Sequence, residues 1–191
     1  NFFKKRILIY GLGKSGLSAY SFLKKSNVIS LFDDRIITKK KIKDTHTTYK
    51  KIIKKEFDCI IISPGIDINK CKLSKFLKKN HKKIYTDLDI FYSRYAFNQK
   101  ITITGTNGKS TTAKLLYDIL KDQKKDVRLV GNIGNPILLE KKIKKDTLFV
   151  IEASSYQLEY SRLFKTNISI ILNIAPDHLE RHKTINKYVS A

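Results

Sequence analysis

Glycine, lysine and serine residues occur between positions 101 and 112 in an order that suits phosphate binding. Glycines at 105 and 108 let the backbone approach a phosphate and turn its N–H groups toward it. A helix predicted over about Ser110 to Leu120 adds free N–H donors and the positive end of its dipole. Lys109 can reach the terminal phosphates, and the Ser110 hydroxyl can ligate Mg²⁺. The segment therefore predicts a nucleoside triphosphate site.

This phosphate loop, residues 105–111, is shorter than the common Walker loop. The pattern G-x-x-x-x-G-K-[ST] needs a glycine at position 103, where Ile103 stands, so two residues are missing. The preceding strand, the glycines, the Lys-Ser pair and the helix still follow in the required order. An ordinary strand-turn-helix is the alternative on the residues alone. The predicted ATP-binding residues are Gly105, Thr106, Asn107, Gly108, Lys109, Ser110 and Thr111.

A second glycine motif spans Gly11 to Gly16, between a strand predicted over Arg6 to Tyr10 and a helix predicted over about Ser15 to Lys25. It matches G-x-G-x-x-G, and the acid Asp33 follows seventeen residues after Gly16. Such an acid typically binds a ribose hydroxyl in dinucleotide sites. The motif supports a phosphate or diphosphate at the helix N-terminus, whichever nucleotide carries it. A purely structural glycine turn is the alternative.

The elements around both motifs alternate between strand and helix, which predicts parallel sheets with right-handed crossovers. The fold class is therefore α/β, with a Rossmann-like parallel-sheet domain over residues 1–97. A P-loop ATPase-like α/β domain, expected to be truncated, follows over residues 98–191. Ligands of such sheets bind beyond the carboxyl ends of the strands. Glu152 and Asn173, which end the strands predicted over Leu148 to Glu152 and Ile168 to Asn173, should share an edge with the phosphate loop.

The composition limits the kinds of partner that the protein is expected to bind. The net charge of +22 suggests nucleic acid, but only six of the 39 basic residues are arginine and the lysines are scattered. A lysine-rich composition is the simpler interpretation, and a nucleic-acid-binding ATPase is the alternative. No apolar run approaches the ~18 residues that span a bilayer, and the start lacks a secretory signal. Cys59 and Cys71 lack metal or disulfide spacing. We expect a cytoplasmic monomer with neither a membrane nor a nucleic-acid partner.

Five segments together resemble the Mur ligase family. They are GLGKSGLS at 11–18, TGTNGKST at 104–111, GNIGNP at 131–136, EASSYQLE at 152–159 and NIAPDHLERH at 173–182. The shortened phosphate loop is shared with folylpolyglutamate synthases, whereas the fourth segment resembles the D-glutamate-adding members. The resemblance implies an ATP- and Mg²⁺-dependent amide ligase that adds D-glutamate to UDP-N-acetylmuramoyl-L-alanine through an acyl phosphate. This reaction belongs to peptidoglycan precursor synthesis, and so to cell-wall biogenesis, cell shape and cell division.

The resemblance also implies a role for individual residues. In the first half, Lys14, Ser15 and Gly16 would lie along the substrate diphosphate, with Asp33, Asp34, Arg35 and Gly65 near the uracil or ribose. In the second half, Asn132, Ser154 and Gln157 would position the muramoyl-alanine arm. Lys109, Glu152 and His178 are the implied catalytic residues: Lys109 on the β- and γ-phosphates, Glu152 with Ser110 on one Mg²⁺, and His178 on a second. His182 is expected to face solvent.

By the same resemblance, a carbamylated lysine would follow Ala191, and the rest of the central domain and a C-terminal domain would follow it. The 191-residue chain is therefore expected to bind its UDP-linked substrate weakly and not to turn over. Two alternatives stay open. One is another Mur-type ligase or a folylpolyglutamate ligase, and the other is an NAD-dependent oxidoreductase built on the first glycine motif.

Overall fold

The computed structural model describes residues 2–35 and 47–190, so Ala191 lies outside the described residues. Two four-stranded sheets, in which every pair is parallel, confirm the predicted α/β class. The first has the strand order β2-β1-β3-β4 and the second β6-β7-β5-β8. The strands are β1 Arg6–Tyr10, β2 Val28–Phe32, β3 Cys59–Ile62, β4 Ile84–Tyr85, β5 Lys100–Thr104, β6 Val127–Gly131, β7 Leu148–Glu152 and β8 Ile168–Ile171.

Helices connect successive strands and cover the sheets. They are α1 Lys14–Leu23, α2 Tyr49–Ile52, α3 Ser74–Lys79, α4 Asp87–Arg94, α5 Lys109–Asp122, α6 Ser155–Leu158, α7 Leu179–His182 and α8 Ile185–Val189. Short 3₁₀ turns occupy His81–Lys83 and Ile137–Leu139. Within the two described ranges, no helix has the length and apolar character needed to cross a bilayer.

A shared apolar core lies between the two sheets. Ile7 and Ile9 of β1 belong to the same buried cluster as Phe149 of β7 and Phe91 of α4. The rings of Phe91 and Phe149 meet edge to face, with centroids 4.8 Å apart. Burying a side chain of this size contributes about 1.5–3 kcal/mol. This core fixes the strand ends of one half against those of the other.

A buried carboxylate joins the halves as well. Asp89 of α4 is fully buried, and its Oδ1 accepts hydrogen bonds from the backbone N–H groups of residues 162, 163 and 164 at 2.8, 2.6 and 3.1 Å. Its Oδ2 accepts from the Thr86 N–H at 2.8 Å, which completes a capping box at the start of α4. The segment after α6 is thereby attached to the first half.

The strands and helices predicted next to the two glycine motifs agree with the structure. Helix α4, which precedes the predicted domain boundary after residue 97, was not predicted, and neither were α2 and α6. Strand β8 ends at Ile171 rather than Asn173, and the Asn173 side chain bonds to the phosphate loop. Proline is common at the start of a helix, and Pro136 precedes the 3₁₀ turn Ile137–Leu139. The domain boundary after residue 97 stays a prediction.

Candidate functional site

The phosphate loop follows β5 and leads directly into α5. Gly105 and Gly108 have φ values of +133° and +82°, in the left-handed region that favours glycine. A Cβ on Gly105 would lie 2.9 Å from the Asn173 carbonyl oxygen, so the loop passes too close to the end of β8 for a side chain. No side chain among the described residues caps the start of α5, which leaves its first-turn N–H groups available to an anion.

Lys109 folds back over this loop. Its Nζ donates to the carbonyl oxygens of Gly105 and Thr106, both at 2.7 Å. The ammonium is therefore held above the turn, where a bound phosphate would meet it. Ser110, the next residue, is exposed on the first turn of α5.

The end of β8 holds the loop in shape. The Asn107 N–H donates to Asn173 Oδ1 at 2.9 Å, and Asn173 Nδ2 returns a bond to the Asn107 carbonyl oxygen at 3.1 Å. The Thr106 N–H donates to the Asn173 carbonyl oxygen at 3.1 Å. Asn173 thus lies on the same sheet edge as the phosphate loop, as expected.

Glu152 ends β7, the strand beside β5, and pairs in register with Ile103 two residues before the loop. Its side chain is buried, and Asn132 Nδ2 donates to its Oε1 at 2.8 Å. The other oxygen, Oε2, is buried without a hydrogen-bond partner among the described residues. A buried carboxylate oxygen in this state is costly unless a cation or donor binds it. Its chemistry and its place on the edge fit a Mg²⁺ ligand.

Close backbone packing explains the glycine before Asn132. Gly131 has φ +108°, and a Cβ there would lie 2.2 Å from the Glu152 carbonyl oxygen. The same oxygen accepts the Asn132 N–H at 2.9 Å. The turn after β6 is thus drawn against the end of β7, which brings the Asn132 amide to the Glu152 carboxylate.

His178 precedes α7 with a left-handed φ of +52° and packs against Tyr156 at a ring separation of 4.6 Å. The Tyr156 hydroxyl donates to Glu180 Oε1 at 2.6 Å, and this oxygen lies 3.7 Å from His178 Nδ1. Burial, and then this bond to Glu180, raise the pKa of Tyr156 to about 12. The predicted metal ligand is therefore braced against the segment that follows Glu152.

The prediction that His182 faces solvent is wrong. Its side chain is buried, and Nε2 lies 3.0 Å from the Ser155 hydroxyl. Its ring stands 5.4 Å from that of Tyr188, whose hydroxyl is 3.1 Å from Thr106 Oγ1. His182 thus links the start of α6 to the phosphate loop. The four-residue spacing between His178 and His182 does not indicate which of the two side chains is buried.

A first cleft of about 460 Å³ lies at the carboxyl edge of the first sheet. Six of the seven residues predicted to bind the substrate nucleotide line it: Lys14, Ser15, Asp33, Asp34, Arg35 and Gly65. Gly16 is buried beneath the loop, where a Cβ would lie 1.8 Å from the Gly11 carbonyl oxygen. Close packing of α1 on β1 therefore requires glycine there, whatever the ligand.

The two acids of this cleft already have backbone and side-chain partners. Asp33 accepts the N–H groups of Leu12 and Arg35 at 2.6 and 2.9 Å, which fastens the glycine motif to the end of β2. Asp34 accepts the Tyr10 hydroxyl at 2.6 Å. Burial, and then this bond, raise the pKa of Tyr10. Their predicted contacts with ribose or uracil stay predictions.

A second cleft of about 430 Å³ lies between the halves. The three residues predicted to position the substrate arm, Asn132, Ser154 and Gln157, all line it. Lys14, Ser15 and Pro64 line both clefts, so the two adjoin. The Ser154 hydroxyl and N–H both donate to Gln157 Oε1, at 3.1 and 3.0 Å, which fixes the Gln157 amide at the start of α6.

Sequence reasoning missed one acid in this second cleft. Asp87, the first residue of α4, is buried and lines the cleft. Its carboxyl group accepts the Leu88 N–H at 3.0 Å and interacts with the Ser15 side chain. Burial raises its pKa, and the Ser15 interaction opposes that shift. The available signal was the Thr86-x-x-Asp89 spacing, which resembles a capping box and marks a helix start.

Family models and curated relatives match nearly the whole chain. The Mur ligase middle domain matches residues 103–191, and the "Mur ligase MurD-like, N-terminal domain" matches residues 5–84. A UDP-N-acetylmuramoylalanine–D-glutamate ligase from Caldicellulosiruptor bescii is 37% identical over 98% of this chain and 43% of its own length. The corresponding ligase from Rickettsia bellii is 35% identical over 98% of this chain and 42% of its own length. The chain thus spans less than half of each relative.

Two solved structures share the fold. A UDP-N-acetylmuramate:L-alanyl-gamma-D-glutamyl-meso-diaminopimelate ligase from Neisseria meningitides matches with a TM-score of 0.59 and 16% identity, over 98% of this chain and 66% of its own. A UDP-N-acetylmuramate-alanine ligase from Thermotoga maritima matches with a TM-score of 0.54 and 19% identity, over 97% of this chain and 45% of its own. At these identities the matches establish the two-sheet architecture.

Proposed function

The chain belongs to the Mur ligase family, and we propose that it forms the nucleotide- and substrate-binding part of an ATP-dependent amide ligase. The acceptor is UDP-N-acetylmuramoyl-L-alanine and the added amino acid is D-glutamate, as in the names of its curated relatives. The observation that carries the proposal is the buried Glu152 Oε2, unpartnered within the described residues and one strand away from the phosphate loop.

Charge is the chief obstacle to this reaction. The alanine carboxylate attacks the γ-phosphate of ATP, which gives an acyl phosphate and ADP, and the amine of D-glutamate then displaces phosphate. A negative nucleophile must therefore approach a polyanion, so the site must offset charge before and during the transfer. Lys109 and the first-turn N–H groups of α5 do this on the phosphate side.

Mg²⁺ would offset the remaining charge of the phosphates. Ser110 and Glu152 would hold one ion, and His178 would help to hold a second. Asn132 occupies one oxygen of Glu152 and leaves the other for the metal. Tyr156 and Glu180 restrain the His178 ring from one side.

The joined clefts suit an elongated substrate. Its uracil and ribose would occupy the first cleft near Asp33 and Gly65, and its diphosphate would pass Lys14 and Ser15. The muramoyl-alanine arm would then enter the second cleft toward Asn132 and Gln157. Because Asn132 also bonds to Glu152, this path leads toward the proposed metal site.

Calorimetric titration of the 191-residue chain tests the proposal. We expect binding of UDP-N-acetylmuramoyl-L-alanine, weaker binding of UDP, and none of NADH. Lys14→Ala should weaken binding of both uridine ligands about 10-fold or more, since it removes a charge-assisted contact. Lys24→Ala, at the opposite end of α1 and outside both clefts, is the matched control. Preferential binding of NADH would favour an oxidoreductase and contradict the proposal.

A further inference from the structure

The carboxylate of Asp87 has no part in the roles above, yet it lies inside the second cleft. Its residue is 4% exposed, at the first position of α4. Among the described residues that line this cleft it is the one acid, and Lys14 is the one cation. Lys14 also lines the first cleft, whereas Asp87 lines the second cleft alone.

The known partners of Asp87 leave acceptor capacity unused. A carboxylate offers about four lone-pair positions. The Leu88 N–H occupies one at 3.0 Å, and the Ser15 side chain and the backbone N–H of Asp87 itself interact with the group as well. A buried carboxylate with remaining capacity gains from any further donor that reaches it.

The residues that line the second cleft limit which ligand group can donate to Asp87. The cleft presents neutral polar groups beside Asp87, namely the hydroxyls of Ser154 and Tyr156 and the amides of Asn132 and Gln157. Lys14 offers a phosphate an opposite charge, so a diphosphate belongs at the Lys14 side. The part of a ligand that reaches Asp87 must carry O–H or N–H donors.

We propose that Asp87 is a binding and specificity-determining residue that accepts a hydrogen bond from a hydroxyl or the acetamido N–H of the substrate's amino sugar. This inference rests on the proposed function, because it requires a nucleotide-linked sugar in the joined clefts. Asp87 then distinguishes a UDP-linked amino sugar from UDP alone, whereas Lys14 binds the diphosphate of both.

A purely structural role for Asp87 must be distinguished from this binding role. Asp87 could act only by holding the Ser15 hydroxyl, and so by shaping the glycine motif. In that case Asp87→Asn would weaken UDP and the UDP-linked sugar by the same factor, and Ser15→Ala would reproduce the effect. A direct contact with the sugar predicts a loss for the UDP-linked sugar alone.

The test is calorimetric titration of wild type, Asp87→Asn, Ser15→Ala and the double variant with UDP and with UDP-N-acetylmuramoyl-L-alanine. We expect Asp87→Asn to weaken the sugar ligand by about 10- to 100-fold, the usual range for a hydrogen bond to a charged group, and to leave UDP within about twofold. Ser15→Ala should not reproduce this selective loss. Equal losses for both ligands, or no loss for either, would overturn the inference.

Two further results distinguish a failure of the proposed function from a failure of the inference about Asp87. If wild type fails to bind UDP, the proposed function fails rather than the role of Asp87. If Asp87→Asn does not fold, wild type is titrated instead with UDP-linked sugars that lack single hydroxyls or the acetamido N–H. At least one of these analogues should bind about 10-fold more weakly, and uniform affinity across the series would overturn the inference.

Discussion

Replacing Asp89 with asparagine should loosen the joint between the two halves. In the wild type, four backbone N–H groups converge on the buried carboxylate, three on Oδ1 and one on Oδ2. An asparagine in either orientation turns an NH₂ group toward donors, and it also removes the charge that strengthens the remaining bonds. A buried donor left unpaired costs about 1–3 kcal/mol. With the weakened bonds included, we expect a loss of about 3 kcal/mol.

For a chain of this length, that loss corresponds to a fall in Tm of about 6–12 °C, at about 2–4 °C per kcal/mol. Thermal unfolding followed by circular dichroism measures it. Glu56→Gln is the matched control, because Glu56 is exposed and its nearest ion-pair partner, Arg6, is 3.7 Å away. Such a pair contributes less than about 1 kcal/mol. A Tm for Asp89→Asn within about 2 °C of wild type would refute the reasoning.

Three further substitutions test other parts of the structure. Gly16→Ala places a Cβ 1.8 Å from a carbonyl oxygen and should lower the Tm and abolish UDP binding. Gly13→Ala, with open space around it, should leave the Tm unchanged in the same melts. Lys109→Ala should weaken ATP binding about 10-fold or more. Lys114→Ala, on the exposed face of α5, should leave ATP binding unchanged. Equal effects of the two substitutions would contradict the assignment of the phosphate loop. Hydrogen bonds from a threonine hydroxyl, and then from an arginine, hold the pKa of Asp126 below its usual 3.8. The contribution of Asp126 to stability is therefore present above pH 3.8 and is lost as the pH falls through the lowered pKa. Asp126→Asn should therefore show a smaller fall in Tm than wild type below about pH 4, and parallel melting curves would count against this.

The local sequence was sufficient to predict the strands and the phosphate loop that frame the site. Strands such as β1 and β7 are short apolar runs that are buried on both faces, a pattern typical of parallel sheets. The phosphate loop was predictable because its glycines must adopt left-handed φ values, which few other residues tolerate. The carboxyl-edge rule then predicted that Glu152 shares a sheet edge with the loop.

What the sequence did not predict depends on contacts between distant segments. Asp87 gains its place in the second cleft because the apolar side chains of α4 pack into the core shared by β1 and β7, and no local pattern indicates that packing. His182 is covered by Tyr188 and Ser155, and a spacing of four residues cannot reveal which face meets them. Gly16 was assigned to the ligand, but the structure shows that backbone packing alone requires a glycine there.

The central claim is that Glu152 and the phosphate loop together bind ATP through Mg²⁺. Its most direct test is calorimetric titration of ATP with and without Mg²⁺, for wild type and for Glu152→Gln. The account predicts that Mg²⁺ tightens ATP binding by about 10-fold or more in wild type and by less than about threefold in the variant, with Mg²⁺-free affinities alike. An equal Mg²⁺ effect in both proteins would contradict it.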